Sequence, residues 1–197
     1  LQILEKYLNY RKRLRAEGAA PDAGRMKHIV LVGSPGTGKT QLTKLLCRAL
    51  CSANFLSHDE PVEITNSPSI RPEQLQEAIE TAVHQTTLLC SEQTIATLLN
   101  PMTENHQLTC VFAIQQSREE DFWKLDSSVK GRCVTYYLPD YTSEQMLAIF
   151  KSMAGAANYS YKDDTEAALQ VIFKNWYDTR ESTPDFPNAR AVQQLCT

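Results

Sequence analysis

One stretch near the amino terminus constrains this chain more than any other. Residues 33–40 read Gly-Ser-Pro-Gly-Thr-Gly-Lys-Thr, which matches the phosphate-binding pattern G-x-x-x-x-G-K-[S/T]. A short apolar run, His28 to Val32, precedes the match and is typical of a buried strand. A helical pattern follows it, with an apolar stripe formed by Leu42, Leu45, Leu46 and Leu50. Strand, glycine loop and helix is the context that this motif requires, whereas a chance match on a glycine-rich turn would not need it.

The residue types of this stretch suit an anion. Its glycines, Gly33, Gly36 and Gly38, allow φ angles that a Cβ disfavours, so that successive N–H groups can point at one phosphate. The helix that begins near Lys39 adds the positive end of its dipole. Lys39 would reach the β- and γ-phosphates, and the Thr40 hydroxyl would bind Mg²⁺. The predicted contacts of a nucleotide are Gly33, Ser34, Pro35, Gly36, Thr37, Gly38, Lys39, Thr40 and Gln41.

Length and charge limit the class of protein. The 197 residues suffice for one medium domain, or for a core with a small appended unit. A net charge of −3 argues against a general nucleic-acid binder, and no apolar stretch has membrane-spanning length, so we predict neither a nucleic-acid nor a membrane partner. The chain opens inside one helical pattern and stops just after another, so we expect it to be part of a longer protein.

Cysteine usage indicates the compartment. The six cysteines show no C-x-x-C spacing, and several lie inside apolar runs; they are Cys47, Cys51, Cys90, Cys110, Cys133 and Cys196. Buried free cysteines behave as small apolar side chains, and disulfides are rare where glutathione keeps thiols reduced. We therefore predict reduced thiols and a reducing, cytoplasmic location.

Apolar runs and helical patterns alternate along the first two thirds of the chain. Strands are predicted at residues 28–32, 61–65, 86–90, 108–114 and 133–138. Helices are predicted at residues 1–17, 71–84 and 93–99, besides the one after the glycine loop. This alternation predicts an α/β fold in which five parallel strands carry helices on both faces.

Strand patterns end at Tyr141. Thr142 or Ser143 would cap a first helix, Asp164 or Thr165 would begin a second, and Asn188 would cap a third. The predicted organisation is therefore an α/β nucleotide-binding core over residues 1–139 and a small helical unit over residues 140–197.

Motifs narrow the class of nucleotide-binding protein. The N-K-x-D base reader of GTPases and the L-S-G-G-Q-like signature of ABC ATPases are both absent from the sequence. Present are the helix at 7–18, the Walker A motif at 33–40, Leu-Pro-Asp-Tyr-Thr at 138–142 followed by 146–150, and Phe-Pro-Asn-Ala-Arg-Ala-Val at 186–192. In these segments the chain resembles AAA+ ATPases of the CbxX/CfqX-type branch, which includes red-type Rubisco activases and ATPases of type VII secretion systems.

The resemblance implies a ring- or stack-forming ATPase that binds ATP or ADP with Mg²⁺ and carries a helical lid. It implies a second-sensor role for Arg190, for which a helix-face charge is the alternative. It implies an arginine finger acting on a neighbouring subunit at Arg132, for which a surface arginine is the alternative. Gln115 or Gln116 falls in the first-sensor region, where a polar side chain would orient the attacking water.

The resemblance breaks after the third strand. There the branch has Asp-Glu, of which the aspartate supports Mg²⁺ and the glutamate activates water. Residues 88–92 read Leu-Leu-Cys-Ser-Glu, so Glu92 is retained as the general base while Ser91 replaces the aspartate. A neutral hydroxyl removes a full negative charge from the shell of the metal. Asp59-Glu60 is no substitute, because it precedes the second strand in a turn.

Two further departures concern the grip on a polypeptide. Residues 66–72, which match the central-pore loop of the branch, contain no aromatic residue and only Ile70 as a large apolar one. After Glu92 the chain enters a helical pattern at once, where the branch has a loop of about ten residues, a usual length for a functional loop. We therefore predict weaker binding of Mg²⁺ and a weaker hold of the pore loop on a polypeptide.

Two hypotheses follow from these departures. The favoured one is a module that binds ATP or ADP, hydrolyses it weakly or not at all, and serves as a structural or regulatory subunit beside other AAA+ subunits or modules. The alternative is an active ATPase that remodels a protein client. A P-loop kinase is a third hypothesis, for which no acceptor-site acid is visible.

Overall fold

The computed structural model describes residues 27–53, 56–64, 71–85, 87–91, 108–125, 127–182 and 186–196, together with residues 9, 13, 16, 17, 94, 98, 101 and 102. Several predictions fall on positions outside this part of the chain. They are the general base Glu92, the pore-loop residue Ile70, and most of the helices predicted at 1–17 and 93–99.

Five strands and the helices between them have the following bounds. The strands are β1 His28–Val32, β2 Val62–Glu63, β3 Thr87–Ser91, β4 Thr109–Ile114 and β5 Cys133–Tyr137. The α-helices are α1 Lys39–Ser52, α2 Pro72–Gln85, α3 Glu119–Leu125, α4 Ser143–Ala156, α5 Asp163–Thr179 and α6 Ala189–Leu195. Short 3₁₀ turns cover Gln116–Arg118, Ser127–Arg132 and Arg180–Ser182. All five strands were predicted; α3 and the turns around it were not.

The strands form one sheet in the order β2-β3-β4-β1-β5. β3 pairs in parallel with both β2 and β4, so that Leu88 lies opposite Val62 on one side and Cys110 on the other. The residues of β3 and β4 are buried with little alternation, as expected for strands covered on both faces. The predicted five-stranded α/β fold is confirmed.

The chain divides into two compact units. The first combines residues up to Leu31 with Thr40–Ile114 and Glu120–Tyr136, and it contains most of the sheet. The second combines Val32–Lys39, Gln115–Glu119 and Tyr137–Thr197, and therefore holds both the glycine loop and the carboxy-terminal helices.

The second unit has its own apolar core. Its members come from α4, α5, α6 and the chain before α6; they are Met146, Leu147, Phe150, Ala154, Leu169, Phe173, Phe186 and Val192. Thr142 begins α4 with a capping box: its hydroxyl accepts the Gln145 N–H, and the Gln145 side chain accepts the Thr142 N–H. The predicted helical character of this region is therefore observed, although α5 begins at Asp163 and leaves Ile172 exposed.

The buried face of α1 differs from the predicted leucine stripe. Leu45 is 56% exposed, whereas Thr43, Cys47 and Leu50 are fully buried. Positions 43, 47 and 50 lie on one face at helical spacing, and the small side chains of the first two allow close approach to neighbouring elements. The prediction from leucine positions therefore placed the buried face of α1 about one residue away from where it lies.

The cysteines are free, and four of them are buried. Burial raises the pKa of Cys133 to about 12 and that of Cys90 well above its usual value. A hydrogen bond with Cys90 lowers the pKa of Cys110 to about 6, with a further contribution from His28. The prediction of buried, reduced thiols holds for these positions, while Cys51 and Cys196 are partly exposed. None of the described helices combines the length and apolarity needed to cross a membrane.

Candidate nucleotide-binding site

The glycine loop opens with a tight turn over Ser34–Thr37. Pro35 takes the second position and Gly36, with a φ of 75°, takes the third, which is the residue pattern of a type II turn. The Thr37 N–H donates to the Ser34 carbonyl at 3.4 Å, and the Thr37 hydroxyl donates to the same oxygen at 2.8 Å. The sequence Ser-Pro-Gly-Thr therefore folds locally, because proline presets one φ angle and glycine accepts the other.

The glycines serve two different purposes. Gly36 and Gly38 have positive φ angles of 75° and 87°, as predicted. Gly33 does not, so the prediction was wrong for this residue. Glycine is required there because a Cβ would lie 2.7 Å from the Leu138 carbonyl oxygen. At Gly36 a Cβ would also lie 2.1 Å from the Pro187 carbonyl oxygen, so this position excludes a side chain on two counts.

Lys39 begins α1 and folds back over the loop. Its Nζ donates to the carbonyl oxygens of Gly33 at 2.7 Å and Ser34 at 2.9 Å. The cation and the amino end of α1 thus lie on the same loop, an arrangement that attracts phosphate. Thr40 and Gln41 follow in the first turn of α1, and both are exposed.

Three donors from the carboxy-terminal part of the same unit hold the next carbonyls of the loop. Asn188 Nδ2 lies 3.3 Å from the Pro35 oxygen, and the Ala189 N–H donates to the Gly36 oxygen at 3.3 Å. The Tyr141 hydroxyl donates to the Thr37 oxygen at 3.1 Å. Tyr141 and Asn188 belong to the motifs found in the sequence, but these contacts were not predicted.

Asn188 is the most heavily bonded of these residues. It is fully buried and has a φ of 48°. Its Nδ2 also lies 2.7 Å from Asp140 Oδ1 and 2.9 Å from the Phe186 oxygen, while its Oδ1 accepts the Tyr141 N–H at 2.8 Å. Asn188 precedes α6 as predicted, yet its side chain does not cap that helix. Its amide instead ties the chain before α4 to the chain before α6.

The remaining predicted site residues are distributed over both units. Arg190 lies in α6 with its side chain exposed, and its backbone nitrogen would be 2.9 Å from a Cβ on Gly36. Gln115 is half-buried and precedes the 3₁₀ turn Gln116–Arg118, while Gln116 is exposed. Arg132 is exposed and ends the 3₁₀ turn of the first unit before β5. The second unit therefore brings Arg190 next to the glycine loop, and Arg132 belongs to the other unit.

Ser91 is the last residue of β3. Within the part of the chain that is described, its hydroxyl oxygen is buried and has no hydrogen-bond partner. Its carbonyl accepts the Thr94 hydroxyl at 2.8 Å. No cluster of metal-ligating side chains occurs among the described residues. A buried hydroxyl without a partner is unfavourable in itself, and none of the described residues supplies one to Ser91.

Comparison with known proteins agrees with this geometry. A family model described as "AAA domain (dynein-related subfamily)" matches residues 28–97, and a second, described as "AAA lid domain", matches residues 142–197. Protein CfxQ of Xanthobacter flavus is 21% identical over 93% of this chain and 62% of its own length. The CfxQ homolog of Pyropia yezoensis is 22% identical over 84% of this chain and 61% of its own length, so the chain spans about three fifths of both relatives.

A third relative and two solved structures complete the comparison. The chloroplastic ribulose bisphosphate carboxylase/oxygenase activase of Cyanidioschyzon merolae is 21% identical over 92% of this chain and 68% of its own length. The FIGL-1 AAA domain in complex with ADP superposes with a TM-score of 0.59 at 13% identity, covering 100% of this chain and 68% of that one. The RuvB Holliday junction branch migration motor of Thermotoga maritima superposes with a TM-score of 0.53 at 17% identity, and the match covers 98% of this chain and 67% of the RuvB chain. These two structures show the fold, and the two family models together with the sequence relatives support an AAA+ module of the CbxX/CfxQ type.

Proposed function

We propose that this chain is a module that binds ATP or ADP, hydrolyses it weakly or not at all, and acts as a structural or regulatory subunit of a larger assembly. The observation that carries the binding half of this proposal is the loop at Gly33–Lys39. Its turn, its two positive-φ glycines and the position of Lys39 are the features of a phosphate-binding loop and support this half of the proposal.

The residues present fit a nucleotide better than they fit its metal. The loop would contact phosphates through residues 33–41, and the FIGL-1 AAA domain, which shares this fold, is a complex with ADP. Mg²⁺ would be held by the Thr40 hydroxyl together with phosphate oxygens, and when bound it would neutralise charge on the phosphates. Ser91 stands where the AAA+ resemblance expects a carboxylate, and its buried oxygen cannot supply the missing negative charge. Weak hydrolysis follows from this deficit.

The alternative, an active ATPase that remodels a protein client, keeps support from three arginine and glutamate positions. Glu92 would activate water, Arg190 would contact the γ-phosphate, and Arg132 would act on the site of a neighbouring subunit. The backbone of Arg190 beside Gly36 favours the second of these roles. Gln115 would orient the attacking water at the end of β4. Under either proposal, residues 1–139 act as core and 140–197 as lid.

Assembly with other AAA+ subunits or modules is part of the same proposal. The RuvB motor, which shares the fold, is a Holliday junction motor, but the net charge of −3 favours protein partners here rather than nucleic acid. A cytoplasmic location agrees with six free cysteines.

Two measurements test the proposal. Fluorescent ADP and ATP analogues are titrated into the protein, and phosphate release is followed at saturating ATP with Mg²⁺. We expect saturable binding of both nucleotides and turnover far below about 1 s⁻¹, the lower end of common enzymes. Absence of binding would refute the nucleotide site, whereas turnover of several per second would favour the active ATPase.

A further inference from the structure

Every carbonyl oxygen from Gly33 to Thr37 is held by a donor inside the second unit. Lys39 Nζ holds the first two, and the Thr37 hydroxyl shares the second. Ala189 and Tyr141 donate to the carbonyls of Gly36 and Thr37 at 3.3 and 3.1 Å, and Asn188 Nδ2, whose two hydrogens also serve Asp140 and Phe186, shares one with the Pro35 carbonyl at 3.3 Å. The loop is thus restrained on its acceptor side along its whole length.

Because each peptide unit is planar and trans, restraining its carbonyl oxygen also fixes the direction of its N–H group. The C=O of one residue and the N–H of the next point in opposite directions across the planar unit. Holding the Pro35 and Thr37 oxygens toward Asn188 and Tyr141 therefore turns the N–H groups of Gly36 and Gly38 to the other side. These glycines, which have positive φ angles, could otherwise rotate their peptide planes at little steric cost.

We propose that Tyr141 and Asn188 are positioning residues for the phosphates of a nucleotide. They touch the carbonyl side of the loop and thereby fix its N–H groups for a diphosphate or triphosphate on the opposite side. This inference rests on the proposed nucleotide binding and adds to it a role for two residues outside the phosphate-binding motif.

Both side chains are themselves fixed, as this role requires. Asn188 is fully buried and also bonded to Asp140, Phe186 and the Tyr141 N–H. Tyr141 packs against the apolar core of α4, α5 and α6, and the capping box of α4 begins at the next residue. A donor that cannot move lowers the ordering cost that the loop would otherwise meet on binding.

The decisive variant is Tyr141→Phe, which removes one hydroxyl and leaves the ring against the core. Its matched control is Tyr159→Phe, because Tyr159 is 63% exposed. We expect Tyr141→Phe to weaken ADP and ATP binding about fivefold, the effect of one neutral hydrogen bond, while the control stays within twofold. Hydrogen exchange of the Gly36, Thr37 and Gly38 amides should also become faster in Tyr141→Phe alone.

A second variant, Asn188→Asp, keeps the volume but replaces the donor by a carboxylate beside Asp140. We expect a larger loss, about tenfold, with the melting temperature recorded for each variant so that affinity is compared only in folded protein. If Asn188→Asp does not fold, Tyr141→Phe decides the matter alone. A Tyr141→Phe protein with lowered melting temperature but unchanged affinity and amide exchange would overturn the positioning role.

The two levels of the proposal fail in different ways. If the wild-type chain binds no nucleotide, the proposed function is refuted, and amide exchange at residues 36–38 still tests the restraint of the loop. If the wild type binds and Tyr141→Phe binds equally well with equal exchange, only the positioning role is refuted.

Discussion

The glycine loop and the end of β3 contrast sharply within one chain. In the loop, five successive carbonyls have donors, and Gly36 leaves no room for a Cβ. At the end of β3, the Ser91 hydroxyl is buried and has no hydrogen-bond partner among the residues that the structure describes. The first region has the features that the proposed nucleotide site needs, and the second has a hydroxyl where the AAA+ resemblance expects a carboxylate.

This difference separates binding from turnover. Binding of a polyphosphate depends on N–H groups and one cation, all of which come from a continuous stretch. Hydrolysis depends in addition on charged groups placed at the end of another strand. A chain can therefore lose the second while keeping the first, as the favoured hypothesis assumes. The following variants would break or sharpen the contrast, in order of expected effect.

Lys39→Ala should abolish nucleotide binding. The variant loses the cation of the loop together with two hydrogen bonds to the Gly33 and Ser34 oxygens, and the expected loss of affinity is about 100-fold or more. Lys44→Ala is the control, since Lys44 lies in the same helix and pairs with Glu63. Calorimetric titration showing unchanged ATP affinity for Lys39→Ala would remove the loop from its proposed role.

Gly36→Ala should destabilise the protein by at least about 2 kcal/mol and weaken nucleotide binding about tenfold, because its Cβ meets the Pro187 oxygen and its φ is positive. Gly155→Ala is the matched control. A Cβ at this position would meet nothing within 4 Å. Because alanine is favoured over glycine inside a helix, the variant should raise the free energy of unfolding by about 0.5–1 kcal/mol. Denaturant unfolding measures both; equal stabilities would contradict the observed close approach.

Ser91→Asp should raise Mg²⁺-dependent ATP hydrolysis about tenfold, because it places a carboxylate at the position where the AAA+ resemblance expects one. Ser91→Asn, which is similar in size but neutral, should show no gain. A phosphate-release assay compares the two with the wild type. No increase in the aspartate variant would show that the deficit lies elsewhere, with Glu92 as the next position to examine.

Arg190→Ala should give the smallest effect, a loss of ATP affinity of about fivefold with little change for ADP. The reason is that the proposed sensor contacts only the γ-phosphate. Lys174→Ala removes another exposed cation from the helical region and serves as control. Competition between ATP and ADP for one fluorescent analogue measures the ratio; equal losses for both nucleotides would favour a general charge effect.

Local patterns account for what the sequence predicted well. The glycine loop, the five strands and the helices after Tyr141 each depend on residues that are neighbours in the chain. The contacts of Asn188 with Pro35 and of Tyr141 with Thr37 join residues 153 and 104 positions apart, and no local pattern encodes them. The signal that could have found them was the pair of motifs that carried the AAA+ resemblance, since both Tyr141 and Asn188 belong to these motifs.

Two errors have the same origin. The leucine stripe of α1 was placed by residue type, whereas packing buries the smaller Thr43 and Cys47 and leaves Leu45 exposed. All three glycines of the loop were expected to use φ angles that a Cβ disfavours, whereas at Gly33 the Leu138 carbonyl is what excludes a side chain. Residue type alone therefore predicts neither the buried face of α1 nor the reason for a glycine at position 33.

The bonds of Asn188 and Ala189 to the turn at Pro35 and Gly36 also have a mechanical consequence. A force that pulls residue 196 away from the rest of the protein would load these bonds as soon as α6 is displaced. Extraction of the last helix and opening of the glycine loop should then appear as one step in a force–extension trace, and a bound nucleotide should raise the force at which that step occurs.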